Sequence, residues 1–185
     1  MLRIEDQMKK MAALTGILMM AAAEAFAQEN ASAPQRRIVV SIPDRKLALV
    51  EDGRVVKIYN TAVGKPSTPT PTGNFKIIRR VVDPVWSANG KTVAPGKSNP
   101  VGTRWIGLDK KGYGIHGTNA PSSIGKNASH GCVRMRNADV EDLYKLVAIG
   151  DTVELHGERT PELEHIFGEP VIVAATPAAA SAGAQ

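Results

Sequence analysis

The chain has 185 residues, 43% of them hydrophobic and 22% charged, which suits one globular domain with tails and is short for two. Its formal charge of +5 is a mild positive field, compatible with an anionic envelope polymer or with simple solubility. No basic block interleaved with aromatics is present, which argues against nucleic acid as a partner.

In chain order the first feature is Lys9-Lys10, followed by an apolar run from Met11 to Ala23 and then Ala25-Phe26-Ala27, the small, bulky, small pattern of a signal-peptidase site. Residues 1–27 therefore read as a signal peptide cleaved after Ala27, with export to the periplasm or cell envelope. The run is about 13 residues, short of the roughly 20 that span a bilayer as a helix, so no stable membrane span is expected. Arg3, Lys9 and Lys10 balance Glu5, Asp6 and Glu24, so cleavage leaves the net charge unchanged. Glu5 and Asp6 sit badly in a basic head, and a start at Met8 instead of Met1 would remove them. Residues 28–35 are small and polar and read as a linker.

Order is expected from Arg36. Ile38, Val40 and Ile42 alternate with their neighbours as a strand, Leu47 to Val50 forms a second apolar run, and Asp52-Gly53 is the turn of a hairpin leading into Val55 to Tyr59. Gly64 to Gly73 holds three prolines and must be a shaped loop, because proline removes ladder donors and fixes φ. Phe75 to Val82 returns to strand character, and a long loop rich in Gly, Pro and Asn is expected from Asp83 to Gly102. Trp105 to Leu108 and Tyr113 to His116 are short strands. One helix is expected near 137–150, with Asn137 as N-cap, Val140, Leu143 and Val147 at helical spacing, and Gly150 terminating it. Val153 to His156 reads as a closing strand. The ordered domain is expected over 36–157, followed by a C-terminal extension, 158–185, that is polar and then Ala- and Pro-rich from Ala174.

The chemistry concentrates in Ile115-His116-Gly117-Thr118 and Ser129-His130-Gly131-Cys132-Val133-Arg134. Cys132 is the sole cysteine, so no internal disulfide can form, and an unpaired thiol in an oxidising compartment is a liability unless it has a use. A thiol attacks only as thiolate, which requires a base or a lowered pKa. His116, arriving from another strand, is placed to approach Cys132 as acid and base, whereas His130 shares a glycine-containing turn with it. A backbone carbonyl could hold the His116 tautomer as well as a carboxylate could, and that partner is left open. Gly131 lets a substrate carbonyl lie against the amides of Gly131 and Cys132 as an oxyanion hole. Arg134 suits a substrate carboxylate, His130 is a further substrate-side candidate, and Ser129 either satisfies a turn or meets substrate. Trp86 and Trp105 suit packing or groove walls. His116, His130 and Cys132 could instead be three zinc ligands, but the sequence offers no spaced carboxylate or second cysteine to complete a familiar set, and no metal is expected.

Five motifs in order resemble the L,D-transpeptidase catalytic domain, the YkuD family: Gly64 with Thr70 to Phe75, Asn99 to Trp105, Ile115 to Asn119, Ser123-Ile124-Gly125, and Ser129 to Met135. The resemblance covers roughly Arg36 to Gly157. Where some members carry Asn two residues after the cysteine, this chain has Arg134. The resemblance implies a mainly β, sandwich-like domain with one or two helices, Cys132 as nucleophile, His116 as proton donor and acceptor, and no cofactor. It implies attack on the bond between the L-centre of a peptidoglycan stem-peptide diamino acid and the next D-residue, through a thioester, with acylation of the cysteine by carbapenems. The acceptor it leaves open: a second stem peptide, an outer-membrane lipoprotein's lysine, a free D-amino acid, or water, in which case the enzyme is an L,D-carboxypeptidase. A wall-binding module that keeps the fold without turnover is the non-enzymatic alternative.

Overall fold

The structure is a computed structural model that describes residues 34–88 and 90–168. The signal-peptide reading, residues 28–33 of the linker and the Ala- and Pro-rich tail lie outside the described residues. Among the described residues no helix is long and apolar enough to cross a membrane.

The first three strands, β1 (Arg36–Ser41), β2 (Lys46–Glu51) and β3 (Arg54–Asn60), form the expected meander. Asp52 and Gly53 both take positive φ at the β2–β3 turn, which Asp and Gly tolerate. Strand β4 (Val63–Gly64) precedes the proline-rich loop, and the ten-residue β5 (Gly73–Val82) follows it. The stretch expected to be loop from Asp83 to Gly102 contains two short antiparallel strands, β6 (Trp86–Ala88) and β7 (Lys91–Val93). Then come β8 (Arg104–Leu108), β9 (Gly114–His116), β10 (Asn127–Ser129), β11 (Val133–Arg134), helix α1 (Asn137–Leu146), β12 (Thr152–His156) and helix α2 (Pro161–Phe167).

Eight strands make one curled mixed sheet in the order β11-β9-β8-β5-β12-β1-β2-β3. Strand β5 joins its two halves: Gly73 to Lys76 pair with β12, while Ile77 to Val82 pair with β8. The main core lies between the halves and under α1, with Ile38, Val40, Leu47 and Leu49 from one half meeting Ile106, Ile115, Val133 and Met135 from the other. Strand β12 is interior, parallel to β1 and antiparallel to β5, and does not close an edge.

Two local readings are corrected. The residue before α1 in extended geometry is Arg136, so Asn137 is the first helical residue and its side chain serves the loops beside it. The helix stops at Leu146, where the Val147 N–H reaches Leu143 O, and Gly150 sits beyond it with φ +96° in the turn into β12. The third difference is α2. Thr160 caps it by accepting from the Leu163 N–H, Pro161 opens it, and Gly168 at φ +80° ends it. Its Leu163, Ile166 and Phe167 cover Val39, Ala48 and Val50, on the face of β1 and β2 opposite the main core. The strands are therefore buried on both faces, and Val39 is as inaccessible as Ile38 and Val40.

Candidate active site

Ser129 ends β10 and Val133 begins β11, so the residues between them form a tight turn. The Ser129 hydroxyl donates to Cys132 O at 2.6 Å and accepts from the Gly131 N–H at 3.0 Å, which closes the turn on itself. Gly131 has φ +110°, and a Cβ there would lie 2.8 Å from Tyr113 Cε1 and 3.2 Å from Pro69 O. The proline-rich loop clamps this turn from outside. The Lys65 N–H and the Thr68 hydroxyl both donate to Ser129 O, and Thr70 Oγ1 holds the loop by accepting from the Gly64 N–H at 2.8 Å.

His116 ends β9, which pairs in parallel with β11 so that Val133 faces Ile115 and Arg134 faces His116. Cys132 is thereby delivered one residue before the Val133–Ile115 pair and two before the Arg134–His116 pair that carries the imidazole. The His116 ring is buried, stacks on Trp105 with centroids 5.5 Å apart, and bonds through Nδ1 to Gly117 O at 2.6 Å. A carbonyl only accepts, so Nδ1 carries the proton and Nε2 is left as the basic nitrogen. This carbonyl is the orienting partner that sequence left open. Asn137 Oδ1 braces the next residues by accepting from the Thr118 and Thr103 N–H groups, and it fills space that a Cβ on Gly117 or Gly102 would need.

Burial pushes the His116 pKa down to about 4; the Gly117 carbonyl opposes this and the nearby Arg134 cation assists it. Burial pushes the Cys132 thiol up, against the lowering effects of the Gly114 amide and Arg134. The Sγ also donates weakly to Gly112 O at 3.5 Å. At neutral pH the pair thus rests as thiol and neutral imidazole. Arg134 is half-buried, its Nε is buried without a hydrogen-bond partner, and no carboxylate pairs with it among the described residues.

Cys132, His116, Ser129, His130 and Arg134 all line one cavity of about 1190 Å³, walled further by Trp86, Trp105 and Tyr113. His130 is exposed on its rim. Ser129 is 1% exposed with both bonds internal, which favours the turn reading over a substrate contact. One role is corrected: the Gly131 N–H is already engaged by Ser129 Oγ, so it does not form an oxyanion hole in this state. The Cys132 N–H has no acceptor among the described residues and is the donor that remains. Tyr113 was missed by sequence reasoning; its position three residues before His116 in a Gly-rich turn was the available signal.

A mainly β fold that brings a lone thiol and a neutral imidazole into one open cavity has the layout of a cysteine–histidine nucleophilic site. The chain belongs to the L,D-transpeptidase catalytic domain family, YkuD, whose profile matches residues 35–155. It is 45% identical over 119 residues to a Bacillus licheniformis protein with the provisional name L,D-transpeptidase YkuD, covering 64% of this chain and 64% of that one. It thus spans a little under two thirds of that relative's length. Among solved structures, the catalytic domain of an Enterococcus faecium L,D-transpeptidase matches with a TM-score of 0.55 at 26% identity, over 65% of this chain and 96% of that one. L,D-transpeptidase 3 from Mycobacterium tuberculosis, in complex with a faropenem-derived adduct, shares the fold with a TM-score of 0.57 at 22% identity, over 68% of this chain and 61% of that one.

Proposed function

We propose that this protein is an exported peptidoglycan L,D-transpeptidase that works through a thioester on Cys132, with residues 1–27 removed as a signal peptide. The observation that carries the reading is the shared cavity: the sulfur, the imidazole with its bare Nε2 and a guanidinium with no carboxylate partner among the described residues open onto the same space. His116 Nε2 takes the thiol proton as Sγ attacks the carbonyl carbon of the diamino acid's L-centre. The oxyanion meets the Cys132 N–H, and the Arg134 cation stabilises the negative charge that develops nearby. The amide C–N bond breaks, and the departing D-residue's amine takes the proton from His116. An acceptor amine, from a second stem peptide or a lipoprotein lysine, then attacks the thioester, gives a proton to His116, and the thiol is restored as it leaves. Because both partners start neutral, proton transfer accompanies attack and does not precede it.

Arg134 also suits a carboxylate of the donor stem, since a planar fork with no carboxylate partner among the described residues can meet one bidentately. The test is intact-mass spectrometry of wild type and Cys132→Ala after exposure to a carbapenem. A single adduct on wild type and none on the variant is expected; equal labelling of both would overturn the assignment of the nucleophile. Separating the products from a tetrapeptide muropeptide then distinguishes cross-links from the tripeptide that water would yield.

A further inference from the structure

Strand register places a row of four residues across the active-site half of the sheet. Arg79 on β5 pairs with Gly107 on β8, Gly107 pairs with Gly114 on β9, and Gly114 and Cys132 stand one residue before the paired Ile115 and Val133. The two positions between Arg79 and the nucleophile are both glycine, and the reason is visible. A Cβ at Gly107 would lie 2.8 Å from Trp105 Nε1, and one at Gly114 would lie 2.8 Å from Trp105 Cζ2. The indole therefore lies flat over both glycines and stacks at one end on His116. It forms a smooth aromatic floor between the sulfur and Arg79.

Arg79 leaves the sheet on that same face, since a Gly107 Cβ would come within 3.4 Å of the Arg79 Cβ. Its side chain is exposed and lines the cavity. No carboxylate pairs with it among the described residues, whereas Asp83, the carboxylate lining the same cavity, lies 3.7 Å from Arg104. Three strand spacings of about 4.8 Å separate the Arg79 backbone from that of Cys132, roughly 14 Å. An extended peptide advances about 3.5 Å per residue, and the arginine side chain reaches back over part of the gap. On a stem that runs from the sulfur toward Arg79, the guanidinium is within reach of the residue that precedes the acyl donor. In a peptidoglycan stem that residue is a glutamyl whose remaining carboxyl group is either free or amidated.

We propose that Arg79 is a specificity-determining residue that binds this carboxylate, so that the protein favours acidic stems over their amidated forms. The inference rests on the transpeptidase reading of the same cavity. A guanidinium gains a charge-assisted fork with a carboxylate and loses one acceptor and the ion pair with a carboxamide.

The experiment uses two tetrapeptide stems that differ only in carboxylate or carboxamide at that glutamyl position. Wild type is expected to process the carboxylate stem with about ten-fold higher kcat/KM, the order expected for one exposed charge-assisted contact. Arg79→Gln should bring the two stems level by lowering the carboxylate value, and Arg79→Glu should reverse the order. Lys111→Gln, which removes another cation lining the cavity but not in the row, should leave the preference in place. Loss of the preference in Lys111→Gln as complete as in Arg79→Gln would reduce the effect to diffuse charge and overturn the assignment. Calorimetric binding of both stems to Cys132→Ala, with and without Arg79→Gln, separates the two readings. A ten-fold tighter carboxylate stem that depends on Arg79 supports the proposal even without turnover. Turnover with no preference sinks the proposal and leaves the transpeptidase standing, and absence of both binding and turnover sinks both.

Discussion

Acidification charges any histidine that water can reach, and the fold seals His116 to 4% exposure. In the unfolded chain the imidazole titrates at its ordinary 6.5, while in the native protein burial holds it down to about 4. Between these values the unfolded chain binds a proton that the native site refuses. The burial of neutral His116 therefore contributes stability that is complete above about pH 6.5, declines as pH falls, and is gone below about pH 4. At 1.36 kcal/mol per pH unit the difference amounts to roughly 3 kcal/mol, a large fraction of a typical domain's stability. Urea unfolding followed by far-UV circular dichroism at pH 7, 6, 5 and 4 measures it. The comparison is His116→Gln, whose amide can still donate to Gly117 O but does not titrate. The other three histidines are common to both proteins and cancel in the difference. Wild type should lose about 3 kcal/mol more than the variant between pH 7 and 4; parallel pH profiles would refute a buried neutral imidazole.

The same electrostatics predict the thiol's reactivity: the rate of Cys132 alkylation by iodoacetamide should rise with a midpoint above the ordinary thiol value, and a plateau persisting below pH 7 would reveal a preformed thiolate and contradict the neutral resting pair. Gly131→Ala forces a Cβ to within 2.8 Å of Tyr113 at φ +110°, and should cost about 2 kcal/mol in chemical denaturation and slow β-lactam acylation at least ten-fold. Leu163→Ala, at a fully buried position under α2, should destabilise by about 3 kcal/mol while acylation under native conditions stays unchanged, because no α2 residue lines the cavity. A stability change under 1 kcal/mol would mean that α2 is not part of the domain.

How much of this was legible follows the range of each interaction. The strands of the meander, β5, β8, β9 and β12 were readable because alternation and turn residues act over two to eight positions. Helix α2 escaped notice, although Thr160-Pro161 and the 163, 166, 167 spacing mark it, because seven residues in polar surroundings make a weak periodic signal. The pair β6 and β7 was hidden in a stretch whose Gly, Pro and Asn content reads as loop.

The residue types of the site were set locally: one cysteine in Ser-His-Gly-Cys, one Ile-His-Gly segment, and glycines where side chains would collide. Tertiary structure decided what those residues are worth. Only the parallel pairing of β9 with β11 brings positions 116 and 132 to one cavity, and burial, aided by the Arg134 cation, keeps the imidazole neutral well below its ordinary 6.5. Register alone lines up Arg79 with two glycines and the sulfur. The spending of Gly131's N–H on Ser129 is likewise a matter of three-dimensional geometry, since a hydrogen bond depends on ångström distances that residue spacing does not encode.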